Sequence, residues 1–400
     1  MLINLRDALN APMAEKRLSY DAEVEYLSSL EPGSYIDLGL NSTTDKFYNF
    51  EISFALNASS AVIPFGYVYG ATARYGLWSD SGNWYVGANS SNSIDLGAKD
   101  TDWHHVLTNF GTSVEVDGST LAIGGGSVRS NIGLNLFASV TSSSGATSRS
   151  LSRAKISMFR IWDTDGNLLR DMIPVRVGTT GYLYDRVSGT LFGNQGTGDF
   201  VLGPDVVPVE YIESYGAEWI ATGVNAAATS SSLRTVASLR FTTLSSGEHD
   251  IMGSGNVATP TMGRNGSRYF MWAKTGTSWF PADCDTNWHT MSYTFNNPSG
   301  RVFELDGTSY TGTQGNTFKT GNGVYIFASS PNRYALECQM SKLAIWQDGN
   351  LIRNYTPVRV GTDATSWEGA MMDVLTRRIY RNAGTGAFTY GNDLKISHSI

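Results

Sequence analysis

The sequence repeats itself once at the length of a whole domain, and no other feature restricts its fold as strongly. Val24, Glu25 and Tyr26 recur about 185 residues later as Val209, Glu210 and Tyr211. Asp102, Trp103 and His104 are matched by Asn287, Trp288 and His289, and Glu115 to Gly118 by Glu304 to Gly307. Pro174 to Gly178 and Pro357 to Gly361 are identical, and Asn194 to Phe200 matches Asn382 to Phe388 with two substitutions. So many matches in one order, with small gaps, mark a duplicated domain and not a short solenoid repeat. Residues 1–23 then form an extension, residues 24–206 a first domain and residues 207–400 a second. The join at Pro204 to Pro208 has no long Gly/Ser run, so close coupling is expected, not a flexible tether.

The fold class follows from pattern. Charged residues are only 16% of the chain, aromatics are 12%, and there are 43 glycines, which suits short half-buried strands and polar turns. Residues 113–117 and 155–162 alternate apolar and polar side chains, giving one core face and one solvent face. Asp-Gly pairs at Asp117, Asp165, Asp306 and Asp348 suit tight hairpins. The chain is therefore expected to be all-β, as two tandem antiparallel β-sandwiches with a short N-terminal helical or extended arm. In that arm Leu2, Leu5 and Leu9 fall on one helical face and Pro12 would end the helix. A helix so short needs a surface to dock on, which makes these leucines candidate docking residues.

Several classes are excluded or disfavoured. Net charge is −7 with no basic stripe, so nucleic acid is not an expected partner; Arg377 and Arg378 read as an ordinary solvated pair. No run reaches the ~20 apolar residues of a membrane span. The N-terminus carries Arg6 and Asp7 where a secretory signal needs an apolar core. Cys284 and Cys338 are too few for a disulfide framework and read as buried thiols, with pairing left open.

No chemistry-bearing constellation stands out. Glycosidase carboxylates at i, i+2 and i+4 would share a strand face. Glu115 with Asp117, and Glu304 with Asp306, lack the third acid, and both aspartates fall at turns. No catalytic residue is expected. His104 and His105 would point to opposite faces of a strand, so no zinc site converges, and His104 and His289 read as structural. No cofactor is expected, although a calcium site built from Asp side chains and loop carbonyls stays open. Arg176 and Arg359 read as structural ion-pair residues, with Asp185 and Asp373 as partners. The ligand-binding candidates are aromatic: Tyr75, Trp78 and Trp84 in the first copy, and Tyr269, Trp272 and Trp279 in the second. Aromatic faces stack on sugars, but the same side chains also fill the space between sheets.

The opening Val-Glu-Tyr block, the Trp-His strand, the Asp-Gly hairpin and the closing Pro-Val-Arg and Gly-Thr-Gly blocks resemble a known family. They are similar to the laminin-G-like, concanavalin A-like lectin/glucanase jelly rolls of bacteriophage virion proteins and gut-bacterial surface proteins. The resemblance covers everything but the N-terminal arm. It implies two curved antiparallel sheets packed face to face, with sugars held at a rim or concave face, sometimes with calcium. The expectation is a non-enzymatic phage virion surface protein: a capsid decoration, head fibre or tail fibre. Residues 1–23 would dock on other virion proteins, and the lectin-like domains would face host-surface glycans. A bacterial-surface lectin is the alternative, and a glycoside hydrolase a third reading. No heptad or collagen repeat bears on homo-oligomerisation, which stays open.

Overall fold

The computed structural model describes residues 19–29, 33–41, 48–58, 65–69, 73–80, 82–89, 92–109, 112–124, 132–140, 149–225, 232–254, 260–273, 276–296, 300–312, 323–329, 337–362 and 366–394. All regular elements among them are strands. The arm leucines Leu2, Leu5 and Leu9 lie outside the described residues.

The two copies build the same sheet. In the first, the order runs Ser119–Ala122, Ser113–Val116, Trp103–Asn109, Asn49–Leu56, Ala154–Trp162, Leu168–Val177, Thr180–Asp185, Thr190–Phe192. In the second it runs Thr308–Gly312, Gly300–Leu305, His289–Asn296, Ser232–Phe241, Glu337–Gln347, Asn350–Gly361, Glu368–Asp373, Ile379–Tyr380. Every neighbouring pair is antiparallel. A second sheet faces each: Phe65–Tyr69, Ala73–Asp80, Asn83–Asn89 and Asn92–Ala98 lie side by side in the first copy. Glu248–Gly253, Thr261–Asn265, Arg268–Ala273 and Gly276–Asp283 do so in the second. Alternation points one side chain in two toward the opposite sheet, so aromatic residues from both layers meet. Phe50 and Phe65 stand 4.8 Å apart between ring centres, and Tyr269 and Phe303 5.0 Å. The two resulting cores are separate: one spans Val24 to Phe200, the other Val209 to Phe388. The fold is two all-β antiparallel sandwiches in tandem.

The repeated motifs have local reasons. Asp117 and Gly118 take φ of 50° and 83°, and Asp306 and Gly307 48° and 85°, which is the left-handed pair a tight hairpin requires. Asp348 and Gly349 do the same, whereas at Asp165 only the glycine adopts positive φ, because that loop is one residue longer. The Asn-x-Gly-Thr-Gly blocks are staples. Asn194 Oδ1 accepts from the backbone N–H of Gly196 and of Tyr35, and Asn382 Oδ1 from Gly384 and Trp219. A Cβ on Gly196 would lie 1.6 Å from the Gly33 carbonyl oxygen, so only glycine allows this approach.

The copies are joined through one sheet. Ala22–Val24 pairs with Leu168–Val177 on one side and with Asp205–Pro208 on the other, and Asp205–Pro208 pairs in turn with Asn350–Gly361. The boundary drawn after residue 206 thus falls inside a strand shared by both sandwiches. The one drawn after residue 23 also falls inside a strand. Tyr20, assigned to the arm, packs on Ile173 and Val175, with its ring 5.0 Å from Tyr184.

The ion pairs correct two expectations. Arg176 pairs with Asp205 (2.7 and 2.6 Å) and Arg359 with Asp393 (2.6 and 2.8 Å), not with Asp185 and Asp373. Those two aspartates are fully buried and accept backbone N–H groups, from Asp171 and from Asn354. Arg377 is not a solvated residue: Arg377 and Glu23 lie 2.8 Å apart with side chains 8% and 10% exposed. Arg381 closes the same seam, bidentate on Glu25 at 3.0 and 2.7 Å. Cys284 and Cys338 are free and buried, and burial pushes the Cys284 thiol up to about 12.

Candidate functional site

Strand parity sorts the aromatic candidates. Tyr75, Trp84 and Tyr269 belong to the cores. Trp78 lies on a sheet face but is buried as well, stacked on Tyr85 at 6.0 Å with the Arg74 guanidinium 5.7 Å from its ring. A ring without accessible surface has no face to offer a sugar, so these four are corrected from ligand-binding to packing residues. Trp272 and Trp279 differ. Trp279 is 50% exposed and Trp272 is half-buried.

These two tryptophans share one face of a hairpin. In Arg268–Ala273 the residues Tyr269 and Met271 turn inward, so Arg268, Phe270 and Trp272 turn outward. Across the pair, Phe270 opposes Trp279 and Trp272 opposes Thr277. Trp272 and Trp279 are thus diagonal neighbours on one surface, a spacing within reach of large rings. Trp279 leans over Phe270, with centroids 5.8 Å apart, and covers it. The result is a half-exposed aromatic platform on a buried aromatic base.

A charged residue inside the second core holds this hairpin. Arg301, fully buried, donates from Nη1 to the carbonyls of Met271 (2.8 Å) and Gly276 (2.7 Å). These carbonyls flank the turn, so the guanidinium fixes the strand ends on which Trp272 sits. Burial pulls its pKa down to about 10, which still leaves it charged at neutral pH. Sequence reasoning missed Arg301, because an arginine in an apolar-alternating strand reads as an outward residue. It missed Trp288 too: this ring is 40% exposed, 6.1 Å from Tyr211, with Arg240 5.6 Å above it.

The titratable clusters are structural. Each strand histidine is held between two carboxylates. His104 Nε2 is 2.8 Å from Asp100 and its Nδ1 2.8 Å from Asp117; His289 is 2.8 Å from Asp285 and 2.6 Å from Asp306. A neutral imidazole can donate only one hydrogen, so two acceptors favour the cation. Burial alone would lower each histidine pKa, but the paired carboxylates outweigh it and the net movement is upward. Burial pushes Asp100, Asp117 and Asp306 upward, but the histidine bonds and backbone N–H groups outweigh it; Asp285 is held down first by the Asn287 N–H and then by His289, so all four lie below their usual range. Asp117 and Asp306 also accept the N–H of His105 and Thr290, locking the hairpin to its neighbour. His105 points the other way, 3.0 Å from Glu51, which also pairs with Arg160. Glu304 accepts from the Ser309 hydroxyl at 3.2 Å. Among the described residues, no group of three or more His, Cys, Asp or Glu is arranged to hold a metal ion.

No protein-family model matches the sequence, and no curated protein matches it. The solved structures that match include two of low identity. One is the mouse laminin α1 chain, domains LG4-5, at 13% identity and a TM-score of 0.27, covering 85% of this chain and 96% of that one. The other is a candidate carbohydrate binding protein from Bacteroides ovatus, at 10% identity and a TM-score of 0.33, covering 95% and 96%.

Proposed function

We propose that this chain is a non-enzymatic glycan-binding protein, and that Trp272 and Trp279 form its sugar-stacking surface. The observation that carries the reading is Trp279, an indole half open to solvent on a sheet face whose hairpin is clamped from beneath by Arg301. Exposed aromatic surface on a rigid base is costly unless a ligand covers it, and stacking on the C–H face of a sugar uses such a ring without needing a deep pocket. One acid of each pair that hydrolysis would use, Asp117 and Asp306, is spent on a turn and a histidine, which supports binding without turnover.

The setting we propose is the surface of a virion, with residues 1–18 attaching to neighbouring structural proteins; a bacterial cell surface is the alternative. The support is the amphipathic spacing of Leu2, Leu5 and Leu9, upstream of a segment from Tyr20 that is built into the joint. Glycan-array binding tests the ligand reading. Trp279→Ala and Trp272→Ala should each weaken it about tenfold, a loss of about 1.4 kcal/mol. A flat array with folded wild-type protein would sink it. Deletion of residues 1–18 tests the setting: it should abolish incorporation into particles while leaving the melting profile unchanged, and normal incorporation would refute the docking role.

A further inference from the structure

A second site lies where the two sandwiches meet. A cleft of about 340 Å³, within the ~300–1,000 Å³ range of small-molecule sites, is lined by Glu25, Trp103 and Ser157 of the first sandwich and by Arg377, Arg378 and Arg381 of the second. Three of these side chains are committed to the joint: Arg377 to Glu23, and Arg381 to Glu25 and Glu368. Arg378 is not. Among the described residues no carboxylate lies within 4 Å of its guanidinium, which rests over the Tyr380 ring at 5.6 Å and acts on the Asp117 carboxyl of the first sandwich only at longer range. Trp103 stands across from it, half-buried, with its ring 6.2 Å from Tyr26.

Ser157 points to an occupant independently. It is the extra residue of a β-bulge between Ile156 and Met158, and bulges re-aim side chains. The residue lines the cleft, and its hydroxyl, buried in this conformation, has no hydrogen-bond partner, so a χ1 rotation is what would bring it to an occupant. The corresponding bulge of the second sandwich carries Ser341, whose hydroxyl donates to the Ser238 carbonyl at 3.3 Å. The same local geometry is satisfied internally in one copy and left unsatisfied in the cleft wall of the other. An unmade buried hydrogen bond costs about 1–3 kcal/mol, which a bound hydroxyl would recover.

We propose that this cleft binds a sugar residue bearing an acidic group. Trp103 would cover its C–H face, Ser157 would bond a ring hydroxyl, and Arg378 would take the anion through two parallel N–H bonds. That the ligand is a sugar rests on the carbohydrate-binding reading above; that it is anionic rests on Arg378 alone.

Isothermal titration of the full chain distinguishes the outcomes, with trigalacturonic acid, the neutral galactose trimer and galactose 6-sulfate as probes. One acidic probe should bind at least tenfold more tightly than the neutral trimer. Preference for the uronate assigns a carboxylate sugar, and preference for the sulfate a sulfate ester. Arg378→Met should remove that preference. Ser157→Ala should weaken binding roughly threefold to tenfold with no drop in melting temperature, since it deletes an unsatisfied group; a merely structural serine would show the reverse. Trp279→Ala should leave acidic-sugar affinity unchanged, which separates this site from the platform. No binding of either acidic probe, equal binding of the neutral trimer, or an acidic preference that survives Arg378→Met would overturn the proposal.

Discussion

Truncating Arg377 should do more damage than a surface arginine normally can. Its guanidinium lies 2.8 Å from Glu23, and both side chains are about nine-tenths buried. Removing one partner of a buried pair leaves the other charge desolvated and unmatched, at a cost of about 3–5 kcal/mol. Glu23 keeps one weak donor, the Tyr20 hydroxyl at 3.4 Å, which argues for the lower end. Arg377 sits at φ 54°, but alanine has the same Cβ, so backbone strain cancels in the comparison. Arg377→Ala should therefore cost about 3 kcal/mol, or roughly 6–12 °C in melting temperature for a cooperative unit of this size. Because the pair bridges the sandwiches, calorimetry should also show one transition broadening toward two. Adding Glu23→Ala removes the stranded charge, so the double variant should be about 2 kcal/mol more stable than the sum of the single effects predicts. If the two effects add within about 0.5 kcal/mol, the pair does not couple the modules.

The paired histidine clamps predict a bounded pH window. Their folded pKa values are raised, so their contribution is complete below the unfolded value of about 6.5 and fades as pH rises through the folded one. The four aspartates are depressed, so theirs is present above about 3.9 and fades as pH falls through the folded values. Urea midpoints should thus be highest between these limits, and His104→Gln with His289→Gln should flatten the alkaline limb; an unchanged slope would contradict the clamp. Gly196→Ala places a Cβ 1.6 Å from the Gly33 carbonyl oxygen and should cost about 3 kcal/mol. Gly133→Ala, where the nearest atom is 3.7 Å away, is the matched control and should be near neutral by chemical denaturation.

What the sequence made legible was whatever depends on neighbours along the chain. The duplication, the Asp-Gly turns and the period-two strands are local patterns, and they specify two sandwiches with little else. Parity along one strand does not say which parity faces inward, so Tyr269 and Trp272, three residues apart, looked alike although one is core and the other surface. The partners of Arg176 and Arg359 were misjudged because Asp205 and Asp393 reach them only through strand order, while Asp185 and Asp373 are nearer in sequence. The cleft was out of reach for the same reason, since it exists only where two modules touch. Its signal was nevertheless present as a difference between copies: where the second has Arg377, Arg378 and Arg381, the ungapped first copy has Gly189, Thr190 and Gly193. Comparing the copies for what they share found the scaffold; comparing them for what they do not share would have pointed to the seam.

The strand Asp205–Pro208, held by both sandwiches at once, turns the pair into a fixed-span gauge. A flexible linker would let two binding surfaces search a range of separations, with an effective concentration that declines smoothly as sites move apart. A shared strand permits no such search. The cleft proposed above takes one wall from each sandwich, so the separation of Trp103 and Arg378 is set before a ligand arrives. Binding there would then proceed without closure of one module on the other.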